Sequence, residues 1–309
     1  MIYCALLNPS VDVVYETDEL KIGDVLLDVP SQIYPSGKSI NVATIIKALG
    51  EEVSVCGIIP EYNLKMFEDF LNKKGIKSFF YKFKGMARIN TTIREKNSQM
   101  TTHINSEAKI SSMRIQQEAL DFFSSYMSKG DLWVFSGSIP KGFDTNYYKK
   151  LIGLCKDKKC LTVFDSRGEF FKFGVRAKPL MIKPNLFELE QFFGEQIIGI
   201  HHIALKAKRL ADMGIKYVFI SLGSDGILAV NENECLLCNA PQVNVCDAVG
   251  AGDACVAGLV AGYIRNFSFP EMCRLGVACG TSKVMHCGPY NISVENVWQL
   301  MEEVKVKSI

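Results

Sequence analysis

The chain is predicted to be an α/β protein, a doubly wound layer structure with a mainly parallel central sheet and a small β-sheet standing off it as a lid. Three observations predict this. From Asp131 onward, short apolar runs alternate with helix-period segments, as expected of parallel strands crossed over by helices that cover both faces. Residues 12–35 and 85–107 break that rhythm with alternating apolar and polar positions, as in Ile89-Asn90-Thr91-Thr92-Ile93-Arg94, and hold no convincing helix. The length, 309 residues at 48% apolar content, suffices for one large domain with a substantial core. The core is thus assigned to residues 1–11, 36–84 and 108–309 and the lid to 12–35 and 85–107, although an irregular edge hairpin fits the lid pattern as well.

Taken in order, Met1-Ile2-Tyr3-Cys4-Ala5-Leu6-Leu7-Asn8 lacks a basic leader and meets Asn-Pro too early for a signal peptide, so it reads as a first buried strand. Asp12, just beyond it, is either a recognition carboxylate at the lid hinge or an ordinary turn residue. Pro35-Ser36-Gly37-Lys38-Ser39-Ile40-Asn41 then sets a flexible turn, a cation and an amide at the start of a helix running to Leu49. Helix N-termini bind anions, so Lys38 suits a phosphate and Asn41 a hydroxyl. The segment is not a P-loop, because the spacer that precedes Gly-Lys in that motif is missing.

Strands follow at Leu132-Trp133-Val134-Phe135, Leu161-Thr162-Val163-Phe164-Asp165, Leu180-Met181-Ile182-Lys183 and Tyr217-Val218-Phe219-Ile220-Ser221, with helices between, over 145–156 and 204–213. In such sheets ligands gather beyond the carboxyl ends of the strands. There, Lys183-Pro184-Asn185-Leu186-Phe187-Glu188 puts Asn185 and Glu188 on one helical face, suited to ordering water around Mg²⁺ or simply to a capping box. Ser221-Leu222-Gly223-Ser224-Asp225-Gly226 is a tight Asp-Gly turn that also offers glycine backbone to a nucleotide.

The segment with most chemistry is Asp247-Ala248-Val249-Gly250-Ala251-Gly252-Asp253. It follows an apolar, strand-like run ending near Val245-Cys246 and opens into a helix whose Ala254, Ala257, Gly258, Ala261 and Gly262 recur at helical spacing, letting it lie close against a sheet. A glycine-rich helix start exposes backbone N–H groups and a partial positive charge. Asp253 makes a poor ligand for the same anion but a good general base, with the amides holding charge on a transferred phosphoryl group. A capping Asp at a plain helix start is the alternative.

Bulk charge excludes other partners. With 35 basic and 33 acidic residues the net charge is +2, which gives no case for nucleic acid or an anionic membrane. No apolar run reaches a membrane span, so the expectation is a soluble, cytoplasmic protein. Cys4, Cys56, Cys160, Cys255 and Cys279 sit singly in apolar contexts and read as free thiols in a reducing compartment. Cys235 and Cys238 form only half of a metal knuckle, and His201-His202 lies in a probable helix start, so neither is assigned a ligand role.

Together and in this order, these motifs resemble the ribokinase-like carbohydrate kinases of the PfkB family over essentially the whole chain. The likeness is closest to the 1-phosphofructokinase and tagatose-6-phosphate kinase branch, through Leu7-Asn8-Pro9-Ser10-Val11-Asp12, Gly37-Lys38, Arg88-Ile89-Asn90, Ser136-Gly137-Ser138-Ile139-Pro140 and Lys183-Pro184-Asn185. The resemblance implies a ribokinase-like three-layer sandwich and an ATP-dependent kinase acting on a ketohexose phosphate, fructose 1-phosphate first. It implies Asp253 as base and Gly250, Ala251 and Gly252 as the anion hole. Asp12, Gly37, Asn41 and Asn90 would hold sugar hydroxyls, and Lys38 and Arg88 the existing phosphate. ATP would meet Lys183, Asn185, Ser221, Gly223, Gly226, Gly250 and Gly252, with Mg²⁺ held through water by Asn185 and Glu188.

Departures from the branch gather at the sugar end: Ser36 and Ser39 stand for glycines, Leu26-Leu27 for an Asn-Arg pair, and Pro60 for a glycine. Ala248 also replaces a hydroxy residue. Rival readings are tagatose 6-phosphate, an unphosphorylated sugar or nucleoside as acceptor, or a non-catalytic sugar-phosphate sensor. A nicotinamide dehydrogenase is set aside, since no Gly-x-Gly-x-x-Gly follows the first strand. An exposed lid edge also offers a pairing surface for a homodimer.

Overall fold

A computed structural model describes residues 1–98, 100–288 and 290–309. The chain opens with β1 (Ile2–Leu6), β2 (Ser10–Thr17), β3 (Ser31–Ser36), α1 (Lys38–Ala48), β4 (Val53–Pro60), α2 (Leu64–Lys73) and β5 (Lys77–Phe83). It continues through β6 (Arg88–Glu95), β7 (Thr101–Asn105), α3 (Met113–Tyr126), β8 (Leu132–Ser136), α4 (Tyr147–Asp157), β9 (Leu161–Asp165) and α5 (Gly168–Val175). Next come β10 (Met181–Ile182), α6 (Leu186–Phe193), α7 (Ile200–Asp212), β11 (Tyr217–Ser221) and β12 (Ile227–Val230). The last elements are β13 (Cys235–Asn239), α8 (Ala251–Ile264), α9 (Phe269–Val284), α10 (Val294–Glu303) and β14 (Lys305–Ser308).

The main sheet has ten strands in the order β14-β13-β12-β11-β10-β9-β8-β1-β4-β5. From β11 to β5 every pair is parallel, and the remaining strands form an antiparallel edge. The parallel strands are apolar on both faces because helices cover both: alternate side chains of the first strand feed two cores, Cys4 and Leu6 one, Ala5 and Leu7 the other. The first strand lies between β4 and β8, so the chain reverses its winding there, and the carboxyl ends of β1, β8 and β9 open on one crevice.

A separate four-stranded sheet runs β3-β2-β6-β7, with β2 and β6 parallel and both outer pairs antiparallel. Its register gives the two faces different jobs. Ser10 pairs with Arg88 and Asp12 with Asn90, so these polar residues share one face. Val13 pairs with Ile33 and Thr91, and Thr91 with Ile104, so the opposite face is apolar. Pro35 is accommodated because β3 is an edge strand.

Three sequence expectations change. The run before Val245-Cys246 is not a strand: pairing stops at Asn239, ahead of Pro241, which has no N–H to donate, and a loop continues to Gly250. The glycines of the small-residue helix face α9 rather than a sheet. A Cβ on Gly258 would stand 2.6 Å from the Leu275 carbonyl oxygen, and one on Gly262 3.1 Å from the Met272 Cα. The cysteines are not all free either, since Cys246 and Cys287 form a disulfide with their Cα atoms 5.5 Å apart. The five cysteines read as free thiols from their apolar contexts are free and buried. Among the described residues no helix is long and apolar enough to cross a membrane.

Candidate active site

Helix α8 begins at Gly250, whose φ of 88° is a left-handed conformation that favours glycine. The Ala251 N–H turns back to the Ala248 carbonyl at 3.2 Å. That leaves the amides of Gly252 and Asp253 as first-turn donors without an acceptor four residues back. Asp253, three positions past the N-cap Gly250, is only 4% exposed. Its Oδ2 accepts from Asn41 Nδ2 at 2.8 Å, and its Oδ1 lies 3.8 Å from Lys38 Nζ. Burial raises its pKa above the usual aspartate range; the neighbouring Asp165 adds to the rise, while Lys38, the Asn41 hydrogen bond and Lys183 oppose it.

Asp165, at the end of β9, gathers the cations of this site. Its Oδ2 accepts from Lys38 Nζ at 3.0 Å and Ser136 Oγ at 3.2 Å, and its Oδ1 lies 3.5 Å from Lys183 Nζ. Burial pushes its carboxyl up, but Lys183 and Lys38 outweigh it and the net position is below the usual range. Lys183 is buried and reaches the start of α8: its Nζ is 3.5 Å from where a Cβ on Gly252 would stand. Gly37 lets α1 begin close to the end of β1, at φ 141° and with a would-be Cβ 2.8 Å from Leu6 Cδ1. Asn41 Oδ1 is buried and has no hydrogen-bond partner among the described residues.

A second polar cluster lines the inner face of the small sheet. Asp12 Oδ1 accepts from Ser10 Oγ at 3.0 Å and Asn90 Nδ2 at 2.8 Å. Asn90 Oδ1 accepts from Arg88 Nη1 at 3.0 Å, Arg88 Nε donates to Asn8 Oδ1 at 3.2 Å, and Asn8 Nδ2 donates to Ser138 Oγ at 2.9 Å. Burial lowers the Arg88 pKa; Asp12 opposes the fall, and the like charge of Arg167 adds to it. Lys38 and Arg88, both expected at the existing phosphate, have different partners: Lys38 serves Asp165 and Asp253, and Arg88 stands with Asn8 and Asn90. Farther along the same sheet, Arg94 Nη2 reaches Asp247 Oδ2 at 2.9 Å, while Asp247 Oδ1 accepts from the Val249 N–H at 2.9 Å.

At the other side of Lys183, Asn185 and Glu188 form a complete capping box at the start of α6. This occupies Asn185 Oδ1 and Glu188 Oε2, at 2.8 and 3.0 Å, and leaves the second Glu188 oxygen available. Burial raises the Glu188 pKa. Among the described residues no group of three acidic, His or Cys side chains is arranged to hold a metal. This donor set suits Mg²⁺, which keeps several waters and binds through one or two carboxylates and substrate phosphates. Ser221 donates its N–H to the Pro184 carbonyl at 3.0 Å. Gly226 has a packing reason of its own, since a Cβ there would lie 2.0 Å from the Cys238 carbonyl oxygen. Gly223 has open space around its would-be Cβ.

Sequence reasoning missed Asp165 and Arg167. The signal was available, because both follow the apolar run Leu161–Phe164 at the carboxyl end of a strand, where ligand contacts are expected. Arg94 had no such signal.

Comparison with known proteins identifies the family. Residues 8–296 match the model of the pfkB family carbohydrate kinases. The 1-phosphofructokinase of Bacillus subtilis is 30% identical, over 99% of this chain and 99% of its own. The tagatose-6-phosphate kinase of Staphylococcus epidermidis is 28% identical, again over 99% of both. The crystal structure of Escherichia coli phosphofructokinase-2 in complex with substrates and products superposes with a TM-score of 0.91 at 23% identity, covering 98% of each chain. On this match, and on the fold and helix start described above, the chain belongs to the pfkB family of carbohydrate kinases.

Proposed function

We propose that this protein transfers the γ-phosphoryl group of ATP to a hydroxymethyl oxygen of a ketohexose phosphate, with fructose 1-phosphate as the first acceptor. The observation that carries the reading is the convergence of one buried carboxylate and two ammonium groups on a glycine-rich helix start. Asp253 takes the proton of the attacking hydroxyl, whose oxygen bonds to the γ-phosphorus as the bond to the leaving ADP oxygen breaks. Lys38, Lys183 and the amides of Gly252 and Asp253 hold the charge that spreads over the transferring group. Asn41 orients Asp253 through its Nδ2 and leaves Oδ1 for a sugar hydroxyl; an unmet buried acceptor costs about 1–3 kcal/mol.

Asp12 and Asn90 hold further hydroxyls, with Gly37 allowing close approach. Arg88, joined by Arg167, meets the phosphate already on the substrate. Asn185 and Glu188 would hold Mg²⁺ through water, and the ion supplies neutralisation of the β- and γ-phosphates. The nucleotide lies along Lys183, Asn185, Ser221, Gly223 and Gly226 toward Gly250 and Gly252. The 1-phosphofructokinase relatives support fructose 1-phosphate, and the tagatose-6-phosphate kinase relative keeps tagatose 6-phosphate as the second acceptor. The cytoplasm is where this chemistry finds its substrates.

A second copy of the chain is the partner we propose for the outer face of the small sheet. Ile33, Ile89 and Ile104 are 58%, 46% and 58% exposed there, on the face turned away from Asp12 and Asn90.

The test is ADP release with Mg-ATP against fructose 1-phosphate, tagatose 6-phosphate, fructose 6-phosphate, free sugars and nucleosides. Turnover on a ketohexose phosphate is expected. Turnover on unphosphorylated compounds alone would overturn the role of Arg88, and bound ATP without turnover on any member of the panel would favour the sensor.

The pH dependence is a second prediction. Because burial raises the Asp253 pKa, kcat/KM should fall with acid through a pKa above the ordinary aspartate value of about 3.9. Lys38 opposes that rise, so Lys38→Met should move the acid limb of the profile to higher pH. An unmoved or acid-shifted limb would refute the coupling.

A further inference from the structure

Lys283 is a charged side chain with no exposure and no role in the chemistry proposed above. It lies in the last turn of α9, and its Nζ donates to two backbone carbonyls, those of His286 at 3.0 Å and Asp247 at 3.3 Å. No carboxylate oxygen lies within ion-pair range of it among the described residues. A lysine that merely caps a helix end can do so from the surface, whereas burying an ammonium costs several kcal/mol unless its surroundings answer the charge. Here they do so with two carbonyl dipoles at hydrogen-bond distance, one of which belongs to the loop entering α8, and with the more distant charges of Asp247 and Asp253, against the like charge of Arg94.

The rest of that loop is fastened to the same place. The N–H groups of Cys246 and Asp247 both donate to the Val284 carbonyl, at 2.7 and 3.2 Å. The side chain of Asp247 meanwhile braces the turn through Val249. The Asp247 peptide is thereby held on both its sides by the end of α9, three residues before the left-handed Gly250 that aims the first amides of α8.

We infer that Lys283 is a positioning residue, an internal cation that fixes the Asp247 peptide and so keeps the amides of Gly252 and Asp253 aimed at the transferring phosphoryl group. The inference rests on the kinase reading of this site. Its specific consequence is that removing the ammonium weakens the hold on a γ-phosphate more than on the rest of the nucleotide, and lowers kcat more than it raises the KM for sugar phosphate.

The test uses Lys283→Met, close in shape and uncharged, and Lys283→Ala, which leaves room for a small cation. Calorimetry should give Lys283→Met a loss of affinity for a non-hydrolysable ATP analogue at least tenfold greater than its loss for ADP, with kcat reduced at least tenfold. Ammonium or methylammonium chloride, against sodium chloride at equal ionic strength, should restore saturable activity to Lys283→Ala. Equal loss for ADP and the analogue, or activity that no ammonium ion restores in a folded Lys283→Ala, would overturn the inference. Should neither variant fold without an ammonium ion, the lysine is structural and the inference falls. A wild-type protein inactive on every sugar phosphate would instead remove the kinase reading beneath it.

Discussion

Asp253→Asn should lower kcat by about 10² to 10⁴, the usual contribution of a positioned general base, while the dissociation constant for ATP stays within a few-fold. The geometry separates the two effects. An amide at this position still offers an oxygen to Asn41 Nδ2, which lies 2.8 Å from the carboxylate. Lys38 keeps its shorter contact to Asp165, at 3.0 Å. The fold and the helix start are therefore retained, and what disappears is the basic lone pair. Steady-state kinetics alongside calorimetry of nucleotide binding would test this. A variant turning over at the wild-type rate would mean that the proton leaves by another route and that Asp253 is only a buried cap.

Arg88→Ala should reduce kcat/KM for the phosphorylated acceptor by about ten- to a hundredfold, the equivalent of one charge-assisted contact of roughly 1.5–3 kcal/mol, and leave any activity on the corresponding free sugar unchanged. Arg88 is held in place by neutral oxygens, those of Asn8 and Asn90, so its charge is not consumed by an ion pair. The like charge of Arg167 bears on it from the end of the neighbouring main-sheet strand. The Asp12 carboxylate also bears on Arg88, more strongly than Arg167 does, but among the described residues it forms no ion pair with it, which leaves the guanidinium to meet an anion. Kinetics on matched phosphorylated and free sugars would decide the matter. Equal losses on both would show that Arg88 supports the sheet rather than the phosphate.

What was legible in the sequence was local. Leu132–Phe135 and Leu161–Asp165 read as buried strands because runs apolar on both faces belong only between two helical layers, and both lie in the parallel part of the sheet. Asp253 was legible because two glycines and a carboxylate at a helix start carry their own physics. The small sheet was legible as period-two alternation, and which face turns inward came only with its register. What could not be read depends on chain segments far apart. The apolar run before Val245 looked like a strand, but it follows Pro241, which has no N–H to donate, and among the described residues it pairs with no other strand. Cys246 and Cys287 are 41 residues apart and meet because α8 and α9 pack as a hairpin through glycine. Asp165 had the right position but no distinctive neighbours; its importance comes from Lys38, 127 residues away, and from Lys183.

The ion pair between Arg94 and Asp247 spans 153 residues of sequence and joins the small sheet to the loop that sets the anion hole. A ligand that draws the sheet toward the crevice would also bear on that loop, and the expected result is that occupancy at the two ends is thermodynamically linked. Such a coupling is reciprocal: the factor by which nucleotide tightens sugar phosphate must equal the factor by which sugar phosphate tightens nucleotide, and couplings of this kind typically span about 5- to 150-fold. Arg94→Gln should bring both factors toward one together, as titrating each ligand in the presence and absence of the other would reveal. With that linkage in place, the expected consequence is that transfer waits until both substrates are bound, so that Arg94→Gln should raise the hydrolysis of ATP measured without sugar phosphate.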